Sequence, residues 1–186
     1  MNPEASDEAL MGAVRAGELD LLAVLFERHG RRLFGYLRGL LGSPSEAEDL
    51  VQETFLRLLR ARRRYRRGAA FVPWMLVTAR NLAWNRLEKG RRRGEEELPT
   101  AGSPGHEDTS DGPEAELAAR QRAEALTRAL QELGGGEREV LLLSYFEGLE
   151  HRDIAALLDI SPGAVKARIH RARGKLRGML TQEDDR

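Results

Sequence analysis

The 186-residue chain contains no cysteine, and this absence removes several kinds of chemistry. Disulfide bonds, thiolate nucleophiles and cysteine metal ligands are all excluded, which is compatible with a reducing cytosol. No segment approaches the roughly 18 consecutive apolar residues of a membrane span. The N-terminus carries acids and lacks the basic region and apolar core of a signal peptide. We therefore expect a cytoplasmic protein without membrane insertion.

Aromatic residues are scarce, at 5% of the chain, and alternating apolar and polar runs are missing. Helical periodicity dominates instead, which predicts an all-α fold. A segment rich in Gly, Pro, Ser, Thr and acids, residues 94–112, predicts a flexible linker. We expect two small helical domains, joined by a flexible acidic linker, with these bounds: residues 1–93, linker 94–118, and residues 119–186, the second domain ending in a helix-turn-helix.

The net charge is zero, but the charges are strongly segregated. Thirteen Lys and Arg residues lie between residues 57 and 93 against one acid, whereas eight acids and no base lie between residues 95 and 117. Six more cations and no acid lie between residues 166 and 177. Such asymmetry is typical of nucleic-acid-binding surfaces separated by a solvated segment.

The stretch from Gly148 to Leu176 has the pattern of a DNA-reading helix-turn-helix. Ser161 offers an N-cap hydroxyl, and Pro162 stands at the favoured first position of a second helix. On that helix an apolar stripe predicts burial at Val165, Ile169, Ala172 and Leu176. The opposite face is predicted to bind DNA with Gly163, Ala167, His170, Arg171 and Gly174, flanked by Lys166 and Arg168. A merely solvated basic helix is the alternative, which the capped turn disfavours.

A helix predicted at about residues 45–64 has an unusual surface. Its core stripe comprises Ala47, Val51, Phe55 and Leu58. This leaves a far side composed of Asp49, Gln52, Glu53 and Leu56. A leucine ringed by acids indicates a docking site for a basic protein partner. The alternative, that Leu56 packs on a neighbouring helix and the acids are ordinary surface, stays open.

The next helix, predicted at about residues 71–92, indicates a second nucleic-acid surface. Its predicted buried side is Val72, Leu76, Ala79, Ala83 and Leu87, and its opposite stripe is Trp74, Thr78, Asn81, Asn85 and Glu88. Asparagine pairs with base edges and aromatic rings stack on unpaired bases. Trp74 is better explained as a core anchor, whereas Tyr65 and Trp84 are the candidates for exposed stacking.

These segments together resemble the extracytoplasmic-function (ECF) group of the sigma-70 family of RNA polymerase sigma factors. The resemblance depends on AEDLVQETFLRLLRA (residues 47–61), FVPWMLVTARNLAWNRL (residues 71–87) and LGGGEREVLLLSYFEGLEHRDIAALLDISPGAVKARIHRARGKL (residues 133–176), in this order. It covers most of the chain apart from the termini and the linker.

The resemblance implies a role for each of the three surfaces. The β′ clamp coiled coil of core RNA polymerase would be bound by Asp49, Gln52, Glu53 and Leu56. The minus-ten element would be bound by Tyr65, Arg80, Asn81, Trp84 and Asn85, with capture of a flipped base. The duplex minus-35 element would be bound by Lys166, Ala167, Arg168, His170 and Arg171. The acidic linker would thread the polymerase channel toward the RNA exit.

The main hypothesis is therefore a sigma factor that directs promoter recognition, melting and transcription initiation at a specific stress-type regulon. Its expected partners are core RNA polymerase, including the β flap, promoter DNA and an anti-sigma factor. It is expected to be a monomer when free, to have no enzymatic activity, and to need no small-molecule substrate, cofactor or metal.

Two other classes of protein are alternatives to this hypothesis. A stand-alone helix-turn-helix regulator should dimerise and needs no acidic docking helix. A metalloenzyme or hydrolase is suggested only by clustered carboxylates in the first domain and by a histidine beside an acid in the second. These residues are Glu46, Glu48, Asp49 and Glu53, and His151 with Asp153. No phosphate loop, nucleophile elbow or HExxH pair accompanies them, which disfavours an enzyme.

Overall fold

The computed structural model describes residues 5–93 and 113–184, and every regular element in these ranges is helical. The elements are α1 (Asp7–Ala16), α2 (Leu21–Leu41), α3 (Pro44–Ala61), a 3-10 turn (Arg62–Arg64), α4 (Phe71–Arg93), α5 (Pro113–Glu132), α6 (Gly135–Tyr145), α7 (His151–Leu158) and α8 (Pro162–Asp184). The predicted all-α class is confirmed. Residues 94–112 of the predicted linker lie outside the described residues, and residues 113–118 begin α5.

Contacts between residues divide the chain into two units. Unit 1 comprises Met1–Leu37 and Glu46–Glu96, and unit 2 comprises Arg38–Ser45 and Glu97–Arg186. Among the helices of residues 5–93 and 113–184, none combines the length and apolar character needed to cross a membrane.

Unit 1 has a core built from one face of each of its helices. The predicted stripe of α3 is buried throughout, with Leu58 fully inaccessible to solvent. In α4 the buried side differs in part from the prediction, because Met75 and Leu82 are buried whereas Val72 and Leu87 are only half-buried. The buried side of α4 is therefore centred a few tens of degrees away from the predicted stripe.

Polar contacts attach α1 to the rest of unit 1. Asp7 accepts a hydrogen bond from Arg28 Nη1 at 2.8 Å, and its other oxygen lies 2.7 Å from Nε2 of the buried His29. The neighbouring Glu8 accepts a hydrogen bond from the backbone N–H of Phe71 at 3.3 Å, at the start of α4. A free helix N-terminus favours a carboxylate, so Glu8 stabilises the position of α4 as well as that of α1.

Unit 2 contains the predicted helix-turn-helix. The first helix of the motif, α7, ends at Leu158 and is followed by Asp159, whose left-handed backbone (φ 54°) makes the turn. Ser161 Oγ then accepts a hydrogen bond from the Ala164 N–H at 3.1 Å, which confirms the predicted N-cap of α8. Behind the turn, Ile154 of α7 and Val165 of α8 are fully buried. The two helices are therefore held by apolar packing and by a capped turn.

A second feature of unit 2 is the buried polar contact between α5 and α6. Arg138, in the first turn of α6, donates to the carbonyl oxygens of Gln131 and Leu133 at 2.6 and 3.2 Å, and to Gln131 Oε1 at 2.5 Å. The last carbonyls of a helix have no partner within the helix, so this guanidinium caps the end of α5. Burial lowers the pKa of Arg138 from its ordinary value.

Candidate protein and nucleic-acid interfaces

The outer face of α3 presents an exposed leucine beside acidic and amide side chains. Leu56 is 47% exposed, and Asp49 and Gln52 are exposed next to it. Glu53 is half-exposed and accepts a hydrogen bond from Arg57 at 2.8 Å, which lowers the pKa of its carboxyl group. Leu56 is therefore not fully covered by a neighbouring helix of unit 1, and the four residues predicted for docking share one face. Their role in docking stays a prediction.

Cations also border the outer face of α3, although the sequence had not predicted them there. Leu56 lies at a groove of about 670 Å³ between α3 and α4, whose other wall includes Arg86 and Lys89. Arg86 is itself paired with Glu46 at 3.1 Å. The surface around Leu56 is thus acidic on the α3 side and basic on the α4 side. In the sequence, the i, i+3 spacing of Arg86 and Lys89 could have indicated this basic side of α4.

Tyr65 is buried, and its predicted exposure is wrong. Only 2% of the residue is accessible to solvent, because its ring packs against Trp74 with centroids 5.1 Å apart and its hydroxyl donates to the Ala69 carbonyl. Burial is also the main reason that the pKa of the hydroxyl is raised. In this conformation Tyr65 supports the loop before α4 and cannot stack on a base. Trp74 is half-buried, in line with an anchoring role.

The polar stripe of α4 does reach the surface. Asn81 and Asn85 are exposed one turn apart, whereas Arg80 and Trp84 are half-buried beside them. Two amides at i and i+4 lie on the same side of a helix. Of the five residues predicted for minus-ten binding, four thus lie on or next to one accessible stripe of α4, and only Tyr65 lies beneath the surface.

The face of α8 that was predicted to bind DNA is largely accessible to solvent. Lys166, Ala167, His170 and Arg171 are exposed, and Arg168 is half-buried, while the stripe at Val165, Ile169 and Ala172 is buried. Leu176 is half-buried. A helix with small and cationic residues on its open side can approach a duplex closely and contact both phosphates and base edges.

Cations of α8 have partners on α6 that no pattern in the sequence indicated. Lys175 Nζ donates to Glu137 Oε2 at 2.7 Å, and Arg171 Nε lies 3.4 Å from Glu137 Oε1. The hydrogen bond from Lys175, followed by the contact with Arg171, lowers the pKa of Glu137. Further along α8, Arg173 lies over the ring of Tyr145, 5.2 Å from its centroid, and its Nε donates to the hydroxyl at 2.7 Å.

Within residues 5–93 and 113–184, no group of three or more His, Asp or Glu side chains is arranged to hold a metal ion. The carboxylates of Glu46 and Glu53, which had suggested an enzyme, form ion pairs with Arg86 and Arg57.

Comparison with known proteins identifies the family. Residues 25–93 match Sigma-70 region 2, and residues 123–176 match Sigma-70, region 4. RNA polymerase sigma factor CarQ of Myxococcus xanthus is 36% identical over 91% of this chain and 95% of its own length. ECF RNA polymerase sigma factor SigE of Mycolicibacterium smegmatis is 32% identical over 96% of this chain and 71% of its own. The chain belongs to the ECF sigma factors.

Solved structures agree with this assignment. The structure of CnrH in complex with the cytosolic domain of CnrY matches this sigma factor with a TM-score of 0.70 and 26% identity, over 96% of this chain and 99% of that one. RpoE of Bartonella quintana, in complex with the anti-sigma factor NepR, has the same fold, with a TM-score of 0.62 and 21% identity over 93% of this chain and 92% of that one. The protein is a DNA-binding factor for promoter-directed transcription initiation.

Proposed function

We propose that this sigma factor docks on core RNA polymerase through the outer face of α3 and reads promoter DNA with α4 and α8. The observation that carries the proposal is the exposure of Leu56 beside Asp49 and Gln52. An exposed leucine within a polar rim fits a partner that covers the apolar centre and meets the acids with cations. The β′ clamp coiled coil is the partner that the family supplies for this face.

The minus-ten element would be bound by the polar stripe of α4. Asn81 and Asn85 are accessible, and each can form two hydrogen bonds with the edge of an unpaired base. Trp84 and Arg80 lie next to them at the border of the surface. Tyr65 would act indirectly, because its packing on Trp74 fixes the loop that precedes this helix.

The minus-35 element would be bound as a duplex by α8. The cations at Lys166, Arg168 and Arg171 would contact phosphates and guanine edges, while Ala167 permits close approach and His170 reaches a neighbouring base pair.

The protein itself would catalyse no reaction. Its activity would be to direct core polymerase, in the cytoplasm, to the promoters of a specific stress-type regulon.

An anti-sigma factor is a further proposed partner. CnrH, which this protein matches over nearly its whole length, was solved in complex with the cytosolic domain of CnrY. We therefore propose that a protein inhibitor binds this sigma factor and competes with core polymerase.

The free protein would be a monomer, and the β flap of the polymerase would be a second contact for unit 2.

The test of the proposed function is reconstitution with bacterial core RNA polymerase. The protein is used to capture core enzyme, and the complex then transcribes a pool of genomic promoter fragments. We expect stoichiometric capture and transcripts from a small subset of fragments, which share a motif. A stable dimer that binds duplex DNA tightly but does not bind core polymerase would instead establish a stand-alone regulator.

Replacing Arg171 by alanine tests whether this side chain reads a base. We expect Arg171→Ala to weaken binding to the cognate upstream element by about 1–3 kcal/mol, because a bidentate contact with guanine is lost. Competition binding of the holoenzyme to cognate and scrambled duplexes measures this cost. Arg177→Ala, at an exposed position of the same helix, is the control. An equal loss on both duplexes would show that Arg171 contacts only phosphate.

A further inference from the structure

Glu137 lies in the first turn of α6 and is surrounded by cations from α8. Its carboxylate accepts Lys175 Nζ at 2.7 Å and lies 3.4 Å from Arg171 Nε. Next to it, a Cβ added at Gly136 would lie 3.2 Å from Arg168 Nη1, so this guanidinium lies against the start of α6. Residues 168, 171 and 175 follow i, i+3, i+7 spacing and therefore form one face of α8, at the edge of its open side.

The carboxylate is more enclosed than the cations that it holds. The Glu137 side chain is 15% exposed, whereas those of Arg171 and Lys175 are 59% and 52% exposed. The hydrogen bond from Lys175 lowers the pKa of this carboxyl group and so favours its charged form. One carboxylate is thus shared by two of the cations between residues 166 and 177, and the guanidinium of Arg171 is restrained before DNA arrives.

These contacts affect specific and non-specific DNA binding differently. Phosphate contacts add affinity for any sequence, so a carboxylate that neutralises one positive charge weakens binding to all DNA. Restraining Arg171 has the opposite effect at the correct base pair, because less side-chain entropy is lost when the contact forms. Only the restraint of Arg171 increases the ratio of cognate to non-specific affinity, because the loss of one positive charge lowers both affinities alike.

We propose that Glu137 is a positioning residue that raises promoter specificity by restraining Arg171, and that it also lowers the affinity for all DNA by neutralising positive charge beside the proposed DNA-binding face of α8. This inference rests on the proposed role of α8 in minus-35 binding. An acid in the first turn of a helix also stabilises that helix. A purely structural role would lower the thermal midpoint of the protein without altering the preference between two DNA sequences, and the two roles are thereby separable.

The experiment compares Glu137→Gln with Glu132→Gln in the holoenzyme. Both variants remove one negative charge, but Glu132 is an exposed residue at the end of α5. Binding is measured on the upstream duplex of the strongest promoter recovered by run-off selection and on a scrambled duplex of equal composition, between 50 and 200 mM salt. Glu137→Asp, which retains the carboxylate, tests for rescue, and thermal melting monitors the fold.

For Glu137→Gln we expect binding to the scrambled duplex to tighten by up to about eightfold at 0.1 M salt, with a salt slope steeper by about 0.9. The ratio of cognate to scrambled affinity should fall by about two- to twelvefold, the equivalent of the cost of ordering one long side chain. Glu137→Asp should recover part of the ratio, and Glu132→Gln should leave it unchanged.

Two outcomes would overturn the inference. One is an unchanged affinity for the scrambled duplex with an unchanged salt slope. The other is an equal gain on both duplexes, which would reduce Glu137 to a general competitor for phosphate. Failure of the proposed function is distinguishable, because wild-type holoenzyme would then show no preference between the two duplexes, whatever the variants do.

Discussion

Leu56→Glu is expected to abolish binding to core RNA polymerase while leaving the fold of the sigma factor intact. Leu56 is 47% exposed and lies outside the buried core of unit 1, so a glutamate there can place its carboxylate in solvent. In the complex, the same change would place a charge at the centre of the contact and remove its apolar anchor. Central anchors contribute about 2–4 kcal/mol to an interface, so the dissociation constant should rise by roughly 30- to 1,000-fold. Surface plasmon resonance with immobilised core enzyme measures the change.

The matched control for this prediction is Leu19→Glu. Leu19 is 43% exposed, lies between α1 and α2, and receives the same substitution with the same change in charge. We expect this variant to bind core polymerase like the wild type, and we expect both variants to retain the helical circular dichroism of the parent. If Leu56→Glu binds as well as Leu19→Glu, or if both lose binding equally, the outer face of α3 is not the docking site.

The elements of the fold were accessible from the sequence because their signals are local. The stripe at Val165, Ile169 and Ala172 marks the buried side of α8, and the Ser161–Pro162 pair marks its start within one turn. Periodicity also places Leu56 opposite the core stripe of α3. What periodicity left open was whether another helix covers Leu56, and only the assembled unit 1 answers that question.

The missed features depend on contacts between residues that are distant in sequence or on the path of a loop. Glu137 and Lys175 are 38 residues apart, and nothing in either segment alone indicates that their side chains meet. Tyr65 lies in a basic loop that is polar on average, which predicts exposure. Its burial results from the return of the loop toward α4, where the ring meets Trp74. A helical pattern contains no information about such a return.

Arg138→Met is expected to destabilise unit 2 more than any exposed substitution, by about 3–5 kcal/mol. The methionine keeps an apolar stem but leaves the Gln131 and Leu133 carbonyls without the donor that caps α5. Hydrogen bonds from a charged donor contribute about 1.5–3 kcal/mol each, and burial of an unpaired carbonyl adds to the cost. Because a small domain has only about 5–15 kcal/mol of stability, α5 and α6 should open measurably.

Urea denaturation of the full chain, combined with hydrogen exchange of the α5 and α6 amides, assigns this loss to unit 2. Exchange is needed because two units can unfold in separate transitions, and a single midpoint would then be ill-defined. Arg177→Met, at an exposed position of α8, is the matched control and should change stability by less than about 0.5 kcal/mol. The loss of stability in Arg138→Lys should lie between those of Arg138→Met and Arg177→Met. An ammonium keeps the charge but cannot reproduce the planar guanidinium that donates to both the Gln131 and the Leu133 carbonyls. A loss in Arg138→Met no larger than that in Arg177→Met would show that water satisfies the α5 carbonyls as well as the guanidinium does.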